Sequence, residues 1–248
     1  MCSKLLQGVF LFLALTACSV KEDRSGCACQ LQVEVCCPPG PQAVRLCLGG
    51  GPEVTVERDT VLILSAPGPE VVLEATSGAL PGPDGCYRIA EGEEQPPLYL
   101  FSTRVDTRGE TAAVTVRLRK EYCRLQLGFK APADCGLPLG LRVVGEVAGC
   151  DPAGEPLPGA FSVETAPDAA GRAAVRLPRQ RDASLLLQLL YKDRVMRTFA
   201  LGEYILAAGF DWEAPSLQDM AVDIDIALTN LSLSGEEEPL TEQIDVLI

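Results

Sequence analysis

From residue 27 onward, hydrophobic and polar residues alternate with a period of two. Leu31, Val33 and Val35 alternate with Gln32 and Glu34, and Val54 and Val56 with Thr55 and Glu57. Val114, Val116 and Leu118 alternate with Thr115, Arg117 and Arg119, and Leu125, Leu127 and Phe129 with Gln126, Gly128 and Lys130. Met220, Val222, Ile224, Ile226 and Leu228 alternate with Ala221, Asp223, Asp225, Ala227 and Thr229. Side chains along a strand point to opposite faces in turn, so this pattern predicts half-buried antiparallel strands. The same reading places further strands at 42–48, 60–65, 70–76, 97–105, 139–147, 160–165, 173–177 and 184–199. Turn residues separate them, among them Gly49-Gly50-Gly51 before Pro52 and the stretch "DTRGE" at 106–110. Only 200–208, "ALGEYILAA", predicts a helix, and a short one. Many short strands with Gly and Pro between them predict an all-β chain of sandwiches.

The chain has 248 residues, enough for one large domain or two ordinary ones. The strand at 111–119 runs through Lys120-Glu121 towards 122–130, which places a boundary near 120. The expectation is an amino-terminal β-sandwich over 27–120 and a carboxy-terminal one over 121–248, with loops at 131–138 and 150–159. The tail 235–248, "GEEEPLTEQIDVLI", alternates again at Ile244, Val246 and Ile248. Residues 240–248 are either the last strand of the second sandwich or a strand offered to another chain, since added strands pair with exposed sheet edges.

The front end has a different pattern. Residues 1–17 carry one charge, Lys4, and an apolar run from Leu5 to Ala17. That run is too short to cross a bilayer and has the flanks of a secretory signal peptide. Leu15-Thr16-Ala17-Cys18 resembles a bacterial lipobox, in which the peptide is cut before a cysteine that becomes acylated. Several acyl chains, at about 0.8 kcal/mol per buried methylene, hold a protein firmly to a membrane. An ordinary signal peptide with a chance cysteine is the alternative. Residues 18–26 then form an acylated tether, within which Lys21, Glu22 and Asp23 resemble the lysine-plus-acids signal that sends lipoproteins of the Bacteroidetes to the cell surface.

Composition narrows the function. The net charge of −13 argues against nucleic acid and against acidic lipid headgroups. The chain has no histidine, which removes Ser-His-Asp and Cys-His catalysis and histidine metal ligands. Phosphate-loop and dinucleotide-binding glycine motifs are also missing. Of eleven cysteines, Cys27, Cys29, Cys36, Cys37, Cys47, Cys86, Cys123, Cys135 and Cys150 remain after Cys2 and Cys18 are set aside. In an exported chain they suggest disulfides with at least one thiol left over, and the pairing is open. The cluster between 27 and 47 also has soft-metal chemistry, but export and oxidation compete for its thiolates. Asp223 and Asp225 share one strand face, as an acid–base pair does, and as a wetted outer face does. Asp151, Glu155 and Asp168 lie in or near loops but fit no calcium-loop spacing. Trp212, the one tryptophan, has few aromatic neighbours in a chain with 5% aromatics, which favours a packing role. No nucleophile has a plausible base. The expectation is a non-enzyme with no metal, cofactor or small-molecule substrate.

Three stretches carry a family resemblance: "CSVKEDRSGCAC" at 18–29, "RLRKEYCRLQLGF" at 117–129, and "LGEYILAAGFDWEAPSLQDMAVDIDIA" at 201–227. Together they resemble the FimB-like fimbrial anchor lipoproteins of the Bacteroidales, the anchoring subunits of type V pili. Family members show an acylated cysteine, a Lys-Glu-Asp-Arg tether and a Cys-Pro-Cys before the first strand. Later come Gly-x-Tyr, Asp-Trp and Asp-x-x-Val-x-Ile-Asp. Here Ala28 replaces the proline, and Cys36, Cys37 and Cys47 add thiols the pattern does not require. The resemblance implies two transthyretin-like β-sandwich domains in tandem, a lipid anchor in the outer membrane and a place at the base of a fimbrium. It implies a stalk subunit as partner and no catalysis. The alternative function is a surface lipoprotein that binds a glycan or another nutrient, which would call for an exposed aromatic platform.

Overall fold

A computed structural model describes residues 28–40, 42–130, 139–225 and 230–234. The described residues are all-β apart from one short helix. Its first sheet holds β1 (Cys29–Cys36) between β4 (Thr60–Ala66) and β8 (Thr111–Arg117). Facing it is a sheet in the order β3 (Val54–Val56), β2 (Val44–Leu48), β5 (Glu70–Gly78), β7 (Leu98–Asp106) and β9 (Arg119–Lys120). The predicted alternation is the burial pattern. Cys29, Leu31, Val33 and Val35 of β1 are 0–1% exposed, while Gln30, Gln32 and Glu34 face water. They meet Val44, Leu46, Leu73 and Ala75 from the facing sheet in one apolar core.

The second sandwich repeats the plan. One sheet runs β13 (Arg172–Pro178), β10 (Tyr122–Lys130), β16 (Met220–Asp225), β17 (Asn230–Ser234). The other runs β12 (Pro156–Thr165), β11 (Leu139–Cys150), β14 (Leu186–Tyr191), β15 (Arg194–Phe199). Leu125, Leu127, Leu141, Val143, Leu177, Leu187 and Val222 fill the space between them. The helix α1 (Leu201–Ala207) lies where the sequence predicts it and buries Leu201, Tyr204 and Ile205 against this core.

Three findings depart from the sequence reading. First, the sheets are mixed: β1 pairs antiparallel with β4 but parallel with β8, and β10 pairs antiparallel with β13 but parallel with β16. Both neighbours bury the same face, so periodicity is blind to strand direction. Second, the expected strand over 184–199 is a hairpin. Lys192 and Asp193 adopt left-handed φ values of 49° and 62° between β14 and β15. Such a turn normally declares itself through Asn-Gly or Asp-Gly, which is absent here. Third, β6 (Tyr87–Arg88) lies between β5 and β7 in sequence but pairs with β11 of the second sandwich, with Tyr87 opposite Cys150 and Arg88 opposite Gly149.

Candidate assembly site

The residues singled out in the sequence for membrane attachment and strand donation are Cys18, Lys21, Glu22, Asp23, Ile244, Val246 and Ile248. All seven lie outside the described residues.

β1 begins at Cys29 and occupies the middle of its sheet, paired along both edges. Its four inward side chains fill the first core. The groove a missing strand would leave is therefore already occupied by the chain itself.

The junction is built from the 84–97 segment, the 119–123 crossover and the end of β13. β9 pairs with β7, the Glu121 backbone N–H donates to the Leu98 carbonyl at 3.0 Å, and the chain then enters the second core at Cys123. Tyr87, Leu98, Leu100 and Cys150 form a small apolar cluster bridging the sandwiches, with Ala79 against it. Tyr99 and Tyr122 meet edge-on at 5.7 Å and share a hydroxyl–hydroxyl hydrogen bond of 3.2 Å. Arg176 of β13 donates its Nε to the Gln95 carbonyl at 2.8 Å and pairs with Glu94.

At its centre Glu121 is buried. Arg179 Nε donates to its Oε2 at 2.8 Å, and Arg119 Nε stands 3.4 Å from Oε1. Arg179 also donates to the carbonyls of Trp212 and Ala214, pinning the loop after α1. Burial pushes the Glu121 carboxyl above the usual carboxylate range, and Arg179 and Arg119 pull against that shift. Gly154 closes over the carboxylate; a Cβ there would stand 3.0 Å from Oε1. These groups line an open cleft of about 610 Å³ with Trp212, Phe210 and Leu206 on its apolar side. Glu121, Arg179 and Arg119 are thus committed to bonds within the chain that hold the junction.

The other sequence candidates separate. Asp151 caps its own turn, its Oδ1 accepting from the N–H of Ala153 and Glu155, while Asp168 does the same for Ala170 and Arg172. These turns stand at opposite ends of the ten-residue β12, so the acids do not converge. Asp223 faces outward beside Gly128, where a Cβ would come within 2.3 Å of its Oδ1; the side chain of Asp225 is outside the description. Trp212 is buried and packs on Phe210 at 4.7 Å, as its sparse aromatic company suggests. Exposed large apolar side chains among the described residues are Val61, Ile63, Val72, Leu80, Val195, Met196 and Leu206, none of them aromatic.

The cysteines are dispersed. Cys29 lies in the first core, Cys123 in the second and Cys150 at the junction, while Cys36 and Cys37 stand at the far end of β1 from Cys29. The seven described cysteines are free thiols, and Cys27 and Cys135 fall outside the description. Burial pushes the Cys123 and Cys150 thiols up to about 12. Thiolate is then scarce at pH 8, so iodoacetamide is expected to spare both in the native protein while it modifies half-exposed Cys36. Peptide mass spectrometry reads this directly. Native Cys150 alkylated as fast as Cys36 would mean that β6 does not stay on β11.

Comparison with known proteins places this geometry. No family profile and no curated protein matches the chain. Solved structures do. One from Bacteroides thetaiotaomicron, described as "putative polysaccharide binding proteins (DUF1812)", has a TM-score of 0.61 at 13% identity and covers 86% of this chain and 99% of its own. A "putative adhesin" from Bacteroides ovatus has a TM-score of 0.60 at 10% identity, covering 88% and 96%. The fimbrial anchor protein Mfa2 from Porphyromonas gingivalis has a TM-score of 0.55 at 11% identity, covering 84% and 98%. Over most of its length, the chain has the all-β sandwich fold of these Bacteroides and Porphyromonas proteins.

Proposed function

We propose that this protein is a fimbrial anchor lipoprotein: Cys18 carries the lipid, residues 18–26 space the first sandwich from the outer membrane, and the carboxy-terminal tail holds the first stalk subunit. In this reading 27–120 and 121–248 are separate structural units, Lys21, Glu22 and Asp23 direct export to the surface, and the chain catalyses nothing. The observation that carries it is the seat of β1. An assembly built by strand exchange needs one partner with a vacant groove and another with a free strand. Here β1 fills its own groove, and it cannot be removed without cutting the chain from its lipid. The protein is then the donor, and 240–248, with Ile244, Val246 and Ile248 on one face, is the strand it gives. The shared fold with Mfa2, itself a fimbrial anchor, supports the same reading. The glycan-binding alternative gains nothing from the exposed large apolar side chains among the described residues, none of which is aromatic.

The test is electron microscopy of cells lacking the gene, with an assay of fimbrial subunits in the medium. Loss of cell-bound fimbriae, or their release into the medium, is expected. Normal attached fimbriae, with no second anchor gene present, overturn the reading. A chain lacking 240–248 separates the two parts of the proposal. It is expected to reach the surface folded yet hold no stalk; a truncated protein that still holds its stalk removes the tail from the mechanism.

A further inference from the structure

The open edges of the sheets differ in how they are guarded. β3 and β9 have three and two residues. β12 carries Pro156 and Pro158 and two register irregularities. β15 has a register shift in its pairing with β14 and presents Arg194 and Arg197. β13 bears Arg172 and Arg176. Short length, proline, bulges and basic side chains are the usual devices that stop an edge from pairing with another chain. β8 presents small or hydroxyl side chains outward and ends on Arg117.

β17, at the end of its sheet, is five residues long and also lacks charge and proline; β4 is longer and has none of these devices. Thr60–Ala66, "TVLILSA", is seven residues of unbroken register on β1 with no charge and no proline. Among the described strands nothing lies beyond it. On its outer face Val61 is 55% and Ile63 72% exposed. On its inner face Leu62 and Leu64 only partly enter the core, because the sheet stops at three strands opposite a sheet of five.

We propose that β4 is a pairing edge for β4 of a second copy of this chain, antiparallel about a twofold axis through Ile63. The strand reads nearly the same in both directions about that residue. Antiparallel pairing sets Ile63 against Ile63 of the second copy, Leu62 against Leu64, and Val61 against Ser65. Apolar cross-strand pairs such as Ile63–Ile63 and Leu62–Leu64 favour the pairing, and no like charges meet. That matters for a chain of net charge −13, whose copies repel over most approaches. The result is a continuous sheet β8-β1-β4-β4-β1-β8 with Leu62 and Leu64 covered on both sides. A twofold contact also closes on itself, so it gives dimers and not fibres. Two single strands make a small interface, below about 1,200 Å², so the dimer is a concentration-dependent one. The inference does not depend on the anchoring role.

The experiment is light scattering on residues 18–248, the chain after signal-peptide removal, with Cys18→Ser, over a concentration series up to about 100 μM, far above the working range of a specific micromolar contact. Ile63→Lys and Ile63→Glu are compared with the parent; at so exposed a position neither disturbs the fold, and unchanged melting temperatures check this. The parent mass is expected to rise towards twice the monomer. Each single variant is expected to stay monomeric. An equimolar mixture of the two is expected to dimerise again, because the introduced ammonium of one copy then faces the introduced carboxylate of the other. A parent that remains monomeric overturns the proposal, as does a dimer that survives Ile63→Lys, or variants whose mixture fails to pair. Protection of the β4 amides that appears only when a stalk subunit is added would assign the edge to a foreign strand and likewise overturn self-pairing.

Discussion

Replacing Glu121 with alanine is expected to lower the stability of this protein by about 3–5 kcal/mol, the range for removing one partner from a buried ion pair. Glu121 and Arg179 expose 1% and 13% of their side chains. Alanine leaves the Arg179 guanidinium buried with its charge uncompensated, still tied to the carbonyls of Trp212 and Ala214. Glu121→Gln retains a carbonyl acceptor for Arg179 and is expected to lose less. Urea unfolding measures both. A loss under about 1 kcal/mol for Glu121→Ala, the size of a surface pair, would show that Arg179 reaches water or another carboxylate. The pH dependence carries a sign as well. Burial raises the folded pKa of Glu121, so the folded state holds this proton more tightly than the unfolded chain does. Its contribution to stability is therefore fully present below the unfolded value, about 4.3, and declines as pH rises through the folded value. Glu121→Gln is expected to remove that decline.

The second large effect belongs to Gly149. Its φ of +138° is open to glycine and strained for any residue with a side chain. A Cβ there would stand 2.0 Å from the Tyr87 carbonyl oxygen and 3.0 Å from the Cα of Arg88. Both belong to β6, so Gly149→Ala drives β6 from β11 and opens the cluster of Tyr87, Leu98, Leu100 and Cys150. Backbone strain of about 1–3 kcal/mol adds to the lost packing, so a total above about 3 kcal/mol is expected. Gly92→Ala is the control. Its φ of +80° is also left-handed, but nothing lies within 4 Å, so it registers strain alone. Equal losses for the two variants would mean that the β6–β11 pairing adds nothing to stability.

These two residues also mark where local sequence stops being informative. Glu121 sits in "RLRKEY", a run that reads as a solvated connection between two alternating strands. Nothing local marks it as the buried half of an ion pair, because its partner Arg179 lies 58 positions away. Gly149 falls between the strand expected at 139–147 and the loop expected at 150–159. The β6 segment has two residues and no alternation to detect, and only its fit against β11 makes it a strand.

Near neighbours along the chain set most of the alternating strands and the helix, though not the turn at Lys192 and Asp193. Alternation at 31–35, 114–118, 125–129 and 220–224 assigned those strands and named their inward side chains, since a half-buried strand admits no other pattern. The helix followed from "ALGEYILAA", and the packing role of Trp212 from the few aromatics in the chain. Tertiary structure alone decided which strands meet and in which direction. β1 and β8 pair although Glu34 and Thr115 are 81 positions apart, and their parallel alignment leaves the same side chains buried as an antiparallel one would. It also decided which edges stay open. β4 looks like any other apolar strand in the sequence, and becomes a pairing edge only because its sheet ends there. Alternation is a property of one strand, whereas pairing is a property of two, and the second strand is set by the packing of the whole chain.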